Sequence, residues 1–89
     1  MKLQQQSDRK LIFDEEGIKA FAIHLKKIRI REGYSQSQLA FESGLSLSQI
    51  ARIETARINP TLSTVFTLAR TLSVSLSDLF NFELSPKEE

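Results

Sequence analysis

Between Tyr34 and Thr55 one punctuation pattern occurs twice, and it leaves the chain little choice of fold. Ser35 and Gln38 have the spacing of a capping box, in which a hydroxyl and an amide satisfy orphan N–H groups at a helix start. Tyr34 and Leu39 stand where a hydrophobic staple would close over that box, and Gly44 supplies the left-handed residue that ends the helix. Ser46 with Gln49 then repeats the box and Leu45 with Ile50 the staple, predicting a second short helix that runs to about Thr55. Two short helices joined by so tight a glycine turn cannot lie antiparallel. They must cross steeply, as in a helix-turn-helix unit.

The flanking segments read as helices by the same rules. Ile18, Phe21, Ala22, Leu25 and Ile28 recur at spacings of three and four. Asp14 is placed as the cap of that helix, Glu15 and Glu16 favour its positive end, Phe13 is placed to staple onto Ile18, and Gly33 is the stop. After the break at Asn59-Pro60, a helix capped near Thr61 carries Leu62, Val65, Phe66, Leu68, Ala69 and Leu72. A last short helix begins at Ser75, with Asp78 completing a box and Val74 and Leu79 a staple. No strand-like alternation of useful length occurs. The expected fold class is therefore all-α, with five helices in one compact unit.

Composition removes several function classes. The 89 residues suit one domain, and 40% hydrophobic with 26% charged residues is a globular balance. Cys is absent and there is one His, so disulfides, thiolate nucleophiles and Cys-based zinc sites are excluded, and one His cannot build a metal centre alone. Ser35, His24 and Asp78 can be written down as a hydrolytic triad, but capping already accounts for Ser35 and Asp78. No enzyme, cofactor or metal is expected. No apolar run has membrane-spanning length and the start does not read as a secretory signal, which predicts a cytoplasmic protein without membrane contact. Net charge is only +1, yet Lys26, Lys27, Arg29, Arg31, Arg52, Arg57 and Arg70 lie mid-chain while Glu83, Glu88 and Glu89 collect at the end. That distribution allows a basic face.

The second helix of the pair is the expected DNA reader, because its exposed positions are small, polar or cationic. Ile50 and Ile53 would face inward and leave Ser46, Leu47, Ser48, Gln49 and Arg52 outward. An arginine fork matches the two acceptors of a guanine edge, Gln49 suits adenine, and Leu47 suits a thymine methyl. Ser35 and Gln36, at the positive end of the preceding helix, are placed to hold a phosphate; Arg57 and Lys26 would add backbone contacts.

Ser35-Gln36-x-x-Leu39-Ala40-x-x-x-Gly44-Leu45-Ser46-x-x-x-Ile50-x-x-Ile53-Glu54, followed by Asn59-Pro60, resembles the Cro and lambda-repressor family, the XRE-type helix-turn-helix proteins. The resemblance covers residues 18–82 without gaps, leaving 1–17 as an N-terminal arm that runs into the first helix and 83–89 as a tail. It implies a five-helix lambda-repressor-like bundle that binds double-stranded DNA as a transcriptional regulator. It also implies that Gln36 holds a phosphate, that Ser46, Leu47, Ser48 and Arg52 read bases, and that Arg29 and Glu54 form a structural ion pair. Two family glycines are replaced, by Ala56 and Ser73, which predicts altered loops and puts in question the phosphate contacts from Thr55 and Arg57.

Leu76, Leu79, Phe80, Phe82 and Leu84 are first of all core, but five large apolar residues exceed what one flank of a small bundle hides, and part of this set is the expected homodimer contact. A twofold dimer predicts a pseudo-palindromic operator. The arm, with Lys2, Arg9 and Lys10 before Leu11, Ile12 and Phe13, would track DNA or brace a partner subunit. The competing expectation is an adaptor or antitoxin-type protein that uses the same scaffold to hold a protein partner.

Overall fold

The computed structural model describes residues 11–87, and the arm residues Lys2, Arg9 and Lys10 lie outside that range. Five helices follow in chain order: α1 (Glu15–Arg31), α2 (Gln36–Ser43), α3 (Leu47–Glu54), α4 (Leu62–Leu72) and α5 (Leu76–Leu79). No strand occurs among the described residues. Each helix starts at the expected cap: Asp14, Ser35, Ser46, Thr61 and Ser75 all accept a backbone N–H three residues on. Capping is what lets elements as short as eight residues hold their ends without long internal ladders.

The reciprocal half of the box forms only once. Gln49 Oε1 accepts the Ser46 N–H at 3.1 Å, whereas the Gln38 amide turns to Glu42 and the Asp78 carboxylate turns to Arg31. Staples fare similarly. Tyr34, Leu45 and Val74 pack partly buried against the core, but Phe13 is exposed.

Helix ends explain the turns. Gly33 and Gly44 take left-handed φ values of 83° and 80°. The expectation that replacing glycine alters the loops after α3 and α4 is corrected by the backbone, since Ala56 and Ser73 hold the same conformation at φ 61° and 57°. After α3, Ala56 N–H bonds to the Ile53 carbonyl and Arg57 N–H to the Arg52 carbonyl, the paired closure of a Schellman turn. Gly33 with Tyr34, and Ser73 with Val74, close their helices the same way.

The core draws on all five helices. Leu25, Ile28, Leu39, Ile50, Ile53, Leu68, Leu72 and Leu79 are fully buried there. α2 packs on α3 and α4, α1 on α3 and α5, and α5 on α4. Leu79 is thereby corrected: as the buried anchor of α5 it has no surface to give a partner subunit. Two further ties hold α5 to α1. Arg31 engages the Asp78 carboxylate at 2.6 and 3.4 Å, and His24 Nε2 lies 2.7 Å from the Asp78 carbonyl oxygen. No hydrolytic triad forms from these residues, since Ser35 caps α2 and the Asp78 carboxylate is committed to Arg31.

Candidate nucleic-acid interface

α3 is held from below and open above. Ile50 and Ile53 are 0% and 1% exposed and fix its inner face, while Ser46, Leu47, Ser48, Gln49, Arg52 and Thr55 are exposed. No acidic residue lies in its first turn, so the positive end of the helix is not neutralised. Ser48, Ala51, Arg52, Thr55 and Arg57 line a shallow depression of about 300 Å³ along this outer face. Ala51 is the member that the residue-by-residue reading missed. Its spacing of three from Ser48 and four to Thr55 was the available signal.

Arg52 and Arg57 take no part in the ion pairs among the described residues, which join Arg29 to Glu54 and Arg31 to Glu32 and Asp78. Two guanidinium groups therefore face the depression with their donors uncommitted to protein carboxylates. The Ala56 turn is what brings Arg57 back beside Arg52, through the 2.9 Å bond from Arg57 N–H to the Arg52 carbonyl.

Beneath this face sits a buried polar hub. Arg29 donates to Glu54 through Nε at 2.6 Å and Nη2 at 3.0 Å, and its Nη1 donates to the Tyr34 carbonyl at 2.9 Å. Gln36 Nε2 donates to Glu54 Oε1 at 3.0 Å. One carboxylate thus joins α1, the start of α2 and the end of α3. The expected Arg29–Glu54 pair is present as a fork, and no buried side-chain polar atom lacks a partner among the described residues. Nearby, the single Tyr34 hydroxyl proton is shared between the Thr71 carbonyl at 3.0 Å and Glu42 at 3.2 Å, and burial followed by the Glu42 charge raises its pKa above the ordinary phenol value.

The other expected contacts divide. Ser35 Oγ accepts from Gln38 N–H, leaving its own hydroxyl proton to donate outward. Gln36 is half-buried, with one amide N–H spent on Glu54 and its carbonyl oxygen left. Gln49 is corrected: its Oε1 is bound to the Ser46 N–H, so the donor–acceptor pair needed to read adenine is not available in this conformation. The Thr55 hydroxyl donates to the Ala51 carbonyl at 2.8 Å and is a helix-end residue first. Lys26 stands exposed on α1, a different element from the α3 face.

Away from α3, the apolar residues proposed for a dimer are also split. Leu76, Phe80 and Leu84 are 46%, 42% and 49% exposed, and Phe82 is half-buried with its ring edge-on to His24. Leu62 and Phe66, one turn apart on α4, are exposed as well and were not in the expected set. The excess was legible: six apolar residues on one eleven-residue helix are more than a single buried stripe needs. Phe66, Ala69, Arg70, Val74 and Leu76 border a hollow of about 150 Å³.

A steep pair of capped helices inside an all-α bundle, with the second helix polar, acid-free at its start and arginine-bearing, defines a helix-turn-helix protein of the DNA-reading kind. Comparison with known proteins agrees. The helix-turn-helix family matches residues 25–79. The chain is 40% identical over 60 residues to the HTH-type transcriptional regulator SlrR of Bacillus subtilis, covering 66% of this chain and 40% of that protein. It is 32% identical over 76 residues to a hypothetical transcription factor of Neisseria meningitidis, covering 84% of this chain and 69% of that one. Its fold superposes with a TM-score of 0.68 on the restriction-modification controller protein C.AhdI from Aeromonas hydrophila, at 33% identity, covering 71% of this chain and 96% of that chain. The chain belongs to the XRE-type, lambda-repressor-like helix-turn-helix family of transcriptional regulators, a family of DNA-binding proteins and not of enzymes. It spans about two fifths of the length of its SlrR relative. No helix among the described residues is long and apolar enough to cross a membrane.

Proposed function

We propose that the chain is a sequence-specific double-stranded DNA-binding repressor or autoregulator, acting in the cytoplasm as a homodimer on a pseudo-palindromic operator. The observation that carries this reading is the outer face of α3, where Arg52 and Arg57 stand clear of protein carboxylates above a fully anchored inner face. Inserted into the major groove, α3 presents Ser46, Leu47, Ser48, Ala51 and Arg52 to base edges. Arg52 makes the sharpest choice, as a bidentate fork on guanine. Ser35, Gln36, Thr55, Arg57 and Lys26 hold phosphates and set register. Gln36 does so while tied to Glu54, which couples the phosphate contact to the packing of α1 against α3.

Binding sites selected from random duplex DNA are expected to show two half-sites about one turn, ~34 Å, apart. On the selected site, Arg52→Ala is expected to weaken binding by about 1–3 kcal/mol and to relax preference at one position per half-site. Gln36→Ala is expected to weaken binding to all sequences alike while leaving the salt dependence unchanged, because the amide carries no charge. Unchanged binding in both variants would remove α3 from the groove. Capture of a protein partner in place of DNA is the second reading, favoured by the exposed Leu62, Phe66 and Leu76 and a net charge of only +1. Failure to enrich any site would favour it.

A further inference from the structure

Leu11 and Ile12 are 98% and 82% exposed and Phe13 is 48% exposed, three consecutive large apolar side chains with no place in their own core. A separate apolar groove of about 260 Å³ opens between the starts of α1 and α4 and the chain after α5, walled by Ile18, Phe21, Pro60, Leu62, Phe80 and Leu84. We infer that Leu11, Ile12 and Phe13 of one chain dock in this groove of a second copy, the two arms exchanging about the dimer axis. The inference rests on the homodimer reading above.

Three observations commit the groove to that occupant. The first is charge. Glu16 reaches the edge of the groove, its carboxylate accepting the Ser85 N–H at 3.0 Å beside the lining residue Leu84, and Glu83 stands in the chain between the lining residues Phe82 and Leu84. The sequence leading into Leu11 carries Lys2, Arg9 and Lys10 against Asp8 alone. A basic segment ending in an apolar triplet complements an apolar groove with an acidic rim.

The second is geometry within one chain. Asp14 caps α1 with its carboxylate 3.1 Å from the nitrogen of Gly17, a wall of the groove, and fills the space a Gly17 side chain would need. A staple onto the groove residue Ile18 would seat Phe13 in its own groove, yet Phe13 is 48% exposed, so the arm leaves that groove open. The third is continuity: Leu62 belongs both to the groove and to the exposed α4 stripe with Phe66. The exchange requires a twofold copy packed on that stripe to bring its arm to the adjoining groove, and three extended residues reach about 10 Å. The stripe alone is small against the ~800 Å² per partner of a standard interface, and exchanged arms enlarge it.

The chain has no Cys, so single cysteines report the contact directly. Ile12→Cys and Leu84→Cys, carried on separate full-length chains of different mass and mixed under mild oxidation, are expected to give the heterodisulfide dimer. Leu11→Asp/Ile12→Asp is expected to weaken dimerisation about tenfold or more by sedimentation equilibrium with its helical circular dichroism unchanged. Equal dimerisation of that variant with no heterodisulfide overturns the exchange and leaves the homodimer standing. A wild-type chain that stays monomeric with and without its selected operator overturns both. In one chain carrying both Ile12→Cys and Leu84→Cys, an intrachain disulfide in place of the interchain one overturns the exchange in favour of self-docking. Lost DNA affinity at unchanged dimerisation overturns it in favour of an arm that contacts DNA.

Discussion

Ala56 holds a left-handed backbone against the preference of its own Cβ, because the turn after α3 closes on Ile53 and Arg52 and sets Arg57 beside Arg52. Ala56→Gly removes that penalty and is expected to stabilise the fold by about 1 kcal/mol, the cost of a left-handed alanine less the greater freedom of an unfolded glycine. In a domain this size that raises the melting temperature by about 4–8 °C. Thermal unfolding of the two chains measures it, and a lower or equal melting temperature would deny the left-handed geometry at Ala56. Single residues were the least legible scale of this sequence. Spacing placed Gln49 and Gln36 on exposed helix starts, but which hydrogen bonds each amide had already spent depends on rotamers and on the distant Glu54. Leu79 was legible as the staple partner of Val74, but only packing shows that it is the one member of the apolar set at the end of the chain that is fully enclosed.

Between elements, a few charged groups do work that the apolar contacts of short helices leave undone. Glu54 takes three donors from Arg29 and Gln36 in a nearly closed site. Glu54→Ala leaves the Arg29 guanidinium buried and unpaired, and is expected to cost about 3–5 kcal/mol in urea unfolding. Replacing both members, Arg29→Met with Glu54→Leu, is expected to cost less than Glu54→Ala alone, because no stranded charge remains; a larger cost would mean that the pair itself outweighs its desolvation. The α1–α5 tie behaves differently because it is solvent-facing. The Arg31 hydrogen bond holds the Asp78 carboxyl below its ordinary range, and the Arg31 charge acts in the same direction. A depressed folded value contributes stability that is present above the unfolded carboxylate pKa and is lost as pH falls through the lower folded one. Asp78→Asn is therefore expected to be less stable than the wild type near neutrality, the two curves converging in acid below the ordinary value of about 3.9. Urea midpoints across that range test it; a constant gap would assign the loss to packing. Helix caps and ends were legible at this scale because a cap is a four-residue pattern, whereas the partner of Asp78 lies 47 residues away.

For the whole molecule, the two faces set separate demands. The α3 face needs only to stay polar, arginine-bearing and anchored by Ile50 and Ile53, and those demands show directly in the order of residues. The apolar side is a matter of excess: the sequence carries more large hydrophobics than one core closes over, and only packing shows that Leu62, Phe66 and Leu76 are the ones left out while Leu79 is enclosed. Contiguous exposed apolar residues of this kind mark a contact surface. A two-half-site operator multiplies the reading power of one short helix only if this surface fixes the spacing of two of them. Phe66→Asp puts a charge at the centre of the stripe without touching the core residues Val65 and Leu68 on either side. It is expected to leave the helical circular dichroism and the affinity for a single half-site unchanged, and to abolish the preference for two correctly spaced half-sites over one. Sedimentation with and without operator, beside titrations of one-site and two-site duplexes, reads both quantities. If Phe66→Asp still dimerised and still preferred the paired site, the axis would lie elsewhere on the surface, and α4 would be free for a protein partner.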